Sequence, residues 1–109
     1  MSVTFADAKK LTDTIIQELG GYWPPLANVA RLFEECGEIS RAVNVRYGPK
    51  RAKTQETPAD LGEELGDALF ALIVLANSAD IDIEESFLAA AQKYRQRDIQ
   101  KLAKLEETE

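Results

Sequence analysis

The sequence contains a run of nine consecutive apolar residues, Ala68-Leu69-Phe70-Ala71-Leu72-Ile73-Val74-Leu75-Ala76. A helix built from this run has no polar face, so other groups must surround it on all sides. The run is too short to cross a bilayer, which needs about 20 residues, and protein therefore has to cover it. In a chain of 109 residues, three further helices can cover only part of its circumference. We expect a second subunit to cover the rest.

Three further helices are predicted around this run. Each has apolar residues three or four positions apart, and each starts with a polar cap or a proline. The predicted starts of the four helices, in chain order, are Thr4 with Asp7, Tyr22-Trp23-Pro24-Pro25, Thr57-Pro58, and Asp82 with Glu85. Gly20-Gly21 is predicted to end the first helix. The sequence therefore predicts an all-α protein, a helical bundle of four main helices that is oligomeric.

The same periodicity predicts which side chains point inward. They are Phe5, Ala8, Leu11, Ile15 and Leu19 on the first helix, Leu26, Val29, Leu32, Phe33, Cys36, Ile39, Ser40 and Val43 on the second, and Phe87, Leu88, Ala91, Tyr94, Leu102 and Leu105 on the fourth. Because Cys36 falls within this pattern, we expect a core thiol at this position rather than a nucleophile.

Composition limits the class of protein. With 45% hydrophobic and 29% charged residues, the chain is typical of one small globular domain, residues 1–109. Its 19 acidic residues outnumber the 13 basic ones and give a formal net charge of −6, which argues against a surface for nucleic acid. A lone cysteine gives no intramolecular disulfide, and the N-terminus has no basic segment followed by an apolar one. We therefore expect a cytoplasmic protein.

Two short acidic motifs precede and enter the apolar run: Glu34-Glu35-Cys36-Gly37-Glu38 and, after a gap of 25 residues, Glu64-Leu65-Gly66-Asp67. Residues three or four apart share a helix face, with Cβ atoms about 5 to 6 Å apart, so each motif presents a pair of carboxylates. Carboxylates that converge repel one another unless a cation lies between them. Since the chain has no histidine and one cysteine, oxygen ligands favour Mg²⁺ or Mn²⁺ over zinc or copper.

Each motif alone is typical of a solvated helix surface, whereas the two together favour a metal site. Gly37 and Gly66 occupy matching positions, each directly before the last acidic residue of its motif. In a helix interior, glycine costs about 1 kcal/mol relative to alanine, so both glycines need a reason. Two explanations stay open: close packing of helices, and room for a metal-bound phosphate.

The order of these features resembles the MazG-like nucleotide pyrophosphohydrolases. The shared features are E-E-x-x-E, a gap, E-x-x-D, an apolar helix, Ala76-Asn77 and a last helix with an acidic cap and K-x-x-x-R, and they cover Tyr22 to Asp98. The resemblance implies an all-α oligomer that uses Mg²⁺ to cleave a nucleoside triphosphate between the α and β phosphates. It also implies site residues, with Glu35, Glu38, Glu64 and Asp67 as metal ligands and Glu34 and Glu63 as nearby acids that orient water or hold a further metal.

The remaining candidates follow from the chemistry of a triphosphate. A divalent cation reverses the sign of an acidic pocket that would otherwise repel the substrate, and an uncoordinated carboxylate can accept the proton of the attacking water. Glu34 is the first candidate for this base and Glu63 the second. Arg31, Lys93 and Arg97 are candidates for phosphate contacts, or equally for salt bridges to the acidic helices.

Two interpretations stay open for each of Trp23, Asn77 and the basic residues between Lys50 and Lys53. Trp23 is a candidate platform for the base or a packing residue. Asn77 is a candidate ligand of base or sugar, as the resemblance suggests, or a residue that frays the helix end. The basic residues Lys50, Arg51 and Lys53 are interpreted as a solvated loop rather than as phosphate ligands.

Together these features predict a Mg²⁺-dependent nucleoside triphosphate pyrophosphohydrolase, with Mn²⁺ as a substitute, that removes unwanted nucleotides from the pool. The expected partners are an NTP or dNTP substrate and further copies of the chain in a homodimer or homotetramer, with no nucleic acid polymer and no membrane. One alternative is a phosphoribosyl-ATP pyrophosphohydrolase, and another is a non-catalytic module that binds a metal or a nucleotide. Base and sugar choice stays open, because several helices form the pocket walls.

Overall fold

Four helices make up the described part of the chain. The computed structural model describes residues 2–48 and 60–107. In chain order the helices are α1 (Phe5–Glu18), α2 (Pro25–Tyr47), α3 (Leu61–Ser78) and α4 (Ile83–Glu107). No strand occurs within these two ranges, so the predicted all-α fold with four main helices is confirmed. Among the helices described, none is long and apolar enough to span a membrane.

Local side-chain bonds start three of the helices. At α1, the Thr4 hydroxyl accepts a hydrogen bond from the Asp7 N–H (3.1 Å) while the Asp7 carboxylate accepts one from the Thr4 N–H (3.0 Å). At α4, the Asp82 carboxylate accepts from two N–H groups of the first turn, at 3.0 and 3.2 Å. Both predicted caps are therefore confirmed. At α3, Asp60 is the cap, and the predicted start at Thr57-Pro58 lies outside the described residues.

The turn between α1 and α2 depends on two glycines. Gly20 and Gly21 have φ angles of +108° and +105°, a conformation that residues with a Cβ atom rarely adopt. The Gly21 N–H donates to the Ile16 carbonyl at 2.9 Å, which closes the last turn of α1. Helix α1 therefore ends at Glu18, just before the two glycines as predicted, and Pro24 and Pro25 start α2 without a side-chain cap.

The α2–α3 pair forms the centre of the structure, with α1 packed on α3 and α4 resting against α1. The buried apolar side chains are small or medium in size, namely Ala42, Ala71, Ile73, Val74 and Ala76. Two polar side chains, Thr12 and Asn28, are also buried. On α2 the buried positions Asn28 and Ala42 are fourteen residues apart with Glu35 midway, so all three share the helix face that packs on α3.

Several side chains predicted to point inward are exposed in the single chain, and these predictions are wrong for it. They are Leu11, Leu19, Leu26, Phe33, Cys36, Ser40, Val43, Phe87, Leu88, Ala91, Tyr94, Leu102 and Leu105. The physical reason on α2 is that the helix has apolar residues on two opposite faces, and the face through Asn28, Glu35 and Ala42 is the one that meets α3. Cys36 accordingly lies exposed and is not a core thiol.

Large apolar side chains are left exposed on all four helices. On α3, the exposed side chains Leu65, Leu69 and Leu72 follow one another at helical spacing, and α4 contains no buried residue at all. The radius of gyration is 18.5 Å, whereas a compact chain of this length has about 13 Å. One chain therefore covers only part of the apolar helix, as expected, and a covering second subunit stays a prediction.

Candidate metal centre and nucleotide cleft

Three carboxylates from the two acidic motifs converge between α2 and α3. Glu35, Glu64 and Asp67 each offer one oxygen, and these oxygens all lie within 4.8 Å of one another. Glu35 and Glu64 are half-buried and Asp67 is exposed. The arrangement follows from the packing: Glu35 lies on the face of α2 that meets α3, and Glu64 and Asp67 are three residues apart on α3.

The remaining acidic residues lie around this group of three carboxylates. Burial raises the pKa of the Glu64 carboxyl above its usual value, and repulsion by neighbouring carboxylates raises it further. In decreasing order of effect, the repelling residues are Glu38, Asp67, Glu63 and Glu35. Glu38, the fourth predicted ligand, is thus close enough to act on Glu64, although it is outside the group of three converging oxygens.

The donor set fits a hard divalent cation. Ligands opposite one another on a Mg²⁺ ion are about 4.2 Å apart and adjacent ligands about 3 Å, since each bond is about 2.1 Å long. The three oxygens, which lie within 4.8 Å of one another, must therefore move closer together to bind one ion. Carboxylate oxygens are typical ligands of Mg²⁺ and Mn²⁺. A bound cation would also relieve the repulsion that raises the pKa of Glu64.

An open cleft of about 430 Å³ lies beside this centre along α2. Its lining includes four predicted site residues, Trp23, Arg31, Glu34 and Glu35. The candidate base platform Trp23, the candidate phosphate ligand Arg31 and the candidate general base Glu34 therefore lie next to a carboxylate of the centre. Trp23 is 57% exposed, which favours a binding surface over packing within the chain.

The basic pair of α4 has a different setting. The Lys93 ammonium and the Arg97 guanidinium lie over the ring of Tyr94, 5.2 and 5.7 Å from its centroid. Helix α4 packs mainly on α1, whereas the acidic centre lies between α2 and α3. Within one chain, Lys93 and Arg97 therefore lie on a different part of the structure from the carboxylates. The loop residues Lys50, Arg51 and Lys53 lie outside the described residues.

Asn77 is held within the fold. Its amide nitrogen donates to the Lys9 carbonyl (3.1 Å) and to the Tyr22 hydroxyl (3.2 Å), and the Tyr22 hydroxyl donates to the Asp13 carboxylate (2.8 Å). The expectation of a frayed helix end at this residue is therefore wrong. Within residues 2–48 and 60–107, the buried Asn77 amide oxygen has no hydrogen-bond partner.

Gly37 and Gly66 do not face the centre. Each lies two positions from a centre carboxylate, Glu35 or Glu64, and two residues correspond to a rotation of about 200° around a helix. A Cβ atom added at either glycine would meet no described atom within 4 Å. Packing within the chain therefore explains neither glycine, and room for a phosphate bound at the centre becomes a weak explanation.

Sequence reasoning missed the network that connects the first turn to α3. The sequence pattern assigns Tyr22 to a stiff helix entry and gives Asp13 and Asn28 no role. The Asn28 side chain is 3% exposed and donates to the Trp23 carbonyl at 3.0 Å. A polar residue on the apolar face of α2 was the available signal, because a buried amide needs a partner.

The fold and the centre together define a class, namely an all-α protein with a candidate acidic metal centre beside an open cleft. Comparison with known proteins identifies the family. The chain belongs to the MazG nucleotide pyrophosphohydrolase domain family, whose model matches residues 24–101. The resemblance inferred from the sequence is thereby confirmed. The protein is accordingly a pyrophosphohydrolase enzyme, rather than a non-catalytic interaction module, and its substrate is a nucleotide.

Two uncharacterized proteins of Bacillus subtilis are similar in sequence to this chain. YpjD of Bacillus subtilis (strain 168) is 47% identical over 87 residues, which cover 80% of this chain and 78% of the relative. YvdC of the same organism is 29% identical over 99 residues, 84% of this chain and 93% of the relative.

Two crystal structures share the fold. That of YPJD from Bacillus subtilis has a TM-score of 0.76 and 43% identity, with 86% of this chain and 97% of that chain covered. That of a Bacillus-conserved MazG protein, a nucleotide pyrophosphohydrolase, has a TM-score of 0.72 and 40% identity, with coverage of 85% and 90%.

Proposed function

We propose that this protein hydrolyses a nucleoside triphosphate, an NTP or dNTP, to the nucleoside monophosphate and pyrophosphate in a Mg²⁺-dependent reaction, with Mn²⁺ as a substitute. The observation that supports this proposal most strongly is the group of three carboxylate oxygens within 4.8 Å of one another. The proposed cellular role is removal of unwanted nucleotides in the cytoplasm.

In this proposal the carboxylates of Glu35, Glu64 and Asp67 hold the cation, and Glu38 completes the ligand set from the next turn of α2. When bound, the cation supplies positive charge that offsets the triphosphate and polarises a phosphoryl oxygen. Glu38 is a suitable fourth ligand because repulsion by its carboxylate already raises the pKa of Glu64. The Glu38 side chain is exposed, and its proposed role as a ligand requires it to turn toward the other three carboxylates.

Glu34 is the proposed general base. Its side chain lines the cleft next to Glu35, so a water molecule that approaches the α-phosphorus from the cleft lies within its reach. Glu34 accepts a proton from this water, the oxygen bonds to the α-phosphorus, and the bond to the bridging oxygen of the pyrophosphate group breaks. Glu63, whose charge also acts on Glu64, is the second candidate.

The charge of the leaving pyrophosphate needs basic residues. Arg31 lines the same cleft as Glu34 and Glu35 and is the proposed phosphate ligand within one chain. Lys93 and Arg97 are proposed to meet the distal phosphates in the assembled oligomer, since one chain places them on a helix with no buried residue. Such groups stabilise charge where it develops in the transition state.

The proposed assembly is a homodimer or homotetramer of one-domain chains, residues 1–109, with no nucleic acid polymer or membrane as partner. The proposal is supported by the exposed apolar side chains on α2, α3 and α4, because contiguous apolar surface marks interaction sites. Tyr94 and Leu102 on α4 are of this kind.

The test of the function is a screen of nucleoside triphosphates with Mg²⁺ in which pyrophosphate and orthophosphate are measured separately. In ¹⁸O-labelled water the expected product is labelled nucleoside monophosphate with unlabelled pyrophosphate, and no nucleoside diphosphate accumulates. Label in pyrophosphate would place the attack at the β-phosphorus, and release of orthophosphate would contradict the proposed reaction. Complementation of a histidine auxotroph distinguishes this function from the alternative, because growth is expected only if the protein is a phosphoribosyl-ATP pyrophosphohydrolase.

A further inference from the structure

An open groove of about 620 Å³ runs along α2 on the side that points away from α3. Its lining includes Gly37, Ser40, Arg41 and Asn44. These residues have the spacing i, i+3, i+4 and i+7, which on a helix surface encloses the hole that receives one side chain of a neighbouring helix. The groove therefore has the shape of a docking site for a helix.

Gly37 gives this hole its depth. It lies two positions after Glu35, about 200° around α2, and so faces away from α3. A Cβ atom added at Gly37 would meet no described atom within 4 Å, although glycine is unfavourable in a helix interior. Close approach of a second helix from another molecule explains this glycine, because such contacts require a residue without a side chain.

Phe33 is the side chain that fits such a hole. It lies about one turn before Gly37 on the same face of α2 and is 72% exposed. The large side chains of this face, Leu26 and Phe33, precede Gly37, and the hole follows it. A second copy of the chain that runs antiparallel therefore places its large side chains on the hole of the first, and the reverse contact forms at the same time.

One two-fold axis beside Gly37 satisfies the whole length of this face. In a two-fold pair each contact occurs twice with the partners exchanged, so contacting positions of an antiparallel pair lie equally far from the axis. Phe33 and the centre of the hole each lie about one turn from Gly37. Leu26 and Tyr47, which are 85% and 68% exposed, lie near the two ends of α2 and nearly equally far from Gly37.

The two flanks of the face agree with the same axis. A two-fold axis perpendicular to both helices brings each flank of α2 against the same flank of its copy. On one flank the apolar residues Val29 and Val43 are placed symmetrically about residue 36. On the other flank Glu34 and Arg41, which have opposite charges, are placed symmetrically about residues 37 and 38. Matched apolar groups and opposite charges both favour pairing with a second copy.

The nucleotide cleft opens toward this face. Ala30 lines the cleft together with Arg31 and Glu34 and is itself exposed, one turn before Phe33. A second α2 on the groove therefore adds a wall to the cleft and brings the partner's Arg41 beside Glu34. A guanidinium at this position adds positive charge to an acidic cleft and can donate two parallel hydrogen bonds to a phosphate.

We propose that two copies of this chain pair antiparallel through the groove on α2, with Phe33 of each copy in the hole of the other, and that the partner's Arg41 completes the nucleotide cleft as a phosphate ligand. The role of Arg41 rests on the proposed function, whereas the pairing does not. The inference goes beyond the proposed assembly by naming the surface, its direction and the residue that acts across it.

Cysteine cross-linking tests the pairing in the full chain, with Cys36→Ser as the background. Gly37→Cys should form a disulfide-linked dimer on mild oxidation, because both copies of this position lie at the axis. The matched control is Asn44→Cys on the same face, whose copies lie about 20 Å apart in the antiparallel pair, beyond the reach of about 7 Å between Cα atoms of a disulfide. Asn44→Cys should link only when mixed with Ala30→Cys. Self-linking of Asn44→Cys, or no link in Gly37→Cys, would overturn the pairing.

Filling or emptying the hole tests the same contact without a cross-link. Gly37→Leu fills the hole and raises helix propensity, so helicity by circular dichroism should be unchanged or higher while association weakens about tenfold or more. Phe33→Ala should weaken association in the same way, and Leu11→Ala, at a side chain of α1 that is 58% exposed, is the control with unchanged sedimentation. Unchanged sedimentation of both Gly37→Leu and Phe33→Ala would overturn the pairing.

Mixed dimers test the role of Arg41 across the interface. Arg41→Ala should lower kcat/KM for triphosphates about tenfold or more, and Glu34→Gln should be nearly inactive. When the two variants are co-expressed, each mixed dimer has one cleft with an intact Glu34 and the partner's intact Arg41. About half of the dimers are mixed, so turnover below KM should reach about a quarter of the wild type, well above the average of the two variants.

The outcomes separate the two parts of the inference from the proposed function. Turnover of the co-expressed variants no higher than their average would overturn the role of Arg41. Absence of pyrophosphate from the wild type with every triphosphate would overturn the proposed function and with it that role, while the cross-links decide the pairing independently.

Discussion

Replacing Tyr22 with phenylalanine should destabilise the fold measurably, although only one oxygen atom is lost. The hydroxyl donates to the Asp13 carboxylate at 2.8 Å and accepts from the Asn77 amide at 3.2 Å. A hydrogen bond in a folded protein contributes about 0.5–1.5 kcal/mol, so the loss of two amounts to about 1–3 kcal/mol. For a domain of this size, each kcal/mol lowers the thermal midpoint by about 4–8 °C.

The dependence on pH identifies the hydroxyl as the cause. Burial, followed by the hydrogen bond to Asp13, raises the pKa of Tyr22 above the usual 10.0. The unfolded chain therefore loses this proton before the folded chain does, and stability falls as the pH rises above about 10. The stabilisation by the hydroxyl is fully present below pH 10 and is lost as the pH passes through the raised pKa. The difference in free energy of unfolding between the wild type and Tyr22→Phe should therefore decrease as the pH rises above about 10.

The assay is thermal or urea denaturation, followed by circular dichroism, between pH 7 and pH 11. Tyr47→Phe is the control, because the Tyr47 side chain is 68% exposed and makes no described hydrogen bond through its hydroxyl; its stability should match the wild type within about 0.5 kcal/mol. If Tyr22→Phe is as stable as the wild type at pH 7, or loses stability in parallel with it above pH 10, the reasoning about this network is refuted.

Three further outcomes are expected. Asp67→Asn should abolish turnover while leaving the metal-free fold intact or more stable, because it removes a ligand and relieves repulsion between carboxylates. Glu18→Gln is the control, and near wild-type turnover in Asp67→Asn would contradict the shared metal site. Sedimentation of the wild type at low micromolar concentration should show a dimer or larger assembly. Leu69→Lys, at an exposed apolar position, should shift the equilibrium from this assembly toward monomer. A well-folded monomer of the wild type would exclude the assembly. Lys93→Ala and Arg97→Ala should lower triphosphate turnover far more than metal affinity, measured by titration of the ion alone; an equal loss of both would place these residues at the cation instead.

The sequence by itself determined the features that depend on neighbours within one or two helical turns. The caps at Thr4 and Asp82 and the glycine turn after α1 involve residues at most five positions apart, so their geometry follows from local backbone preferences. The spacing of Glu64 and Asp67 placed both carboxylates on one face of α3 for the same reason. The family resemblance also rested on such spacings.

Only the tertiary structure decided which faces meet. Helix α2 has apolar residues on opposite sides, and packing on α3 selected the side with Asn28 and Glu35 rather than the side with Phe33. That choice brought Glu35, rather than Glu38, into the group with Glu64 and Asp67. The bond from Asn77 to Tyr22 joins residues 55 positions apart, and no periodicity in the sequence specifies such a contact. Contacts of this kind depend on the rotation and crossing of whole helices, which the packing of many side chains sets together.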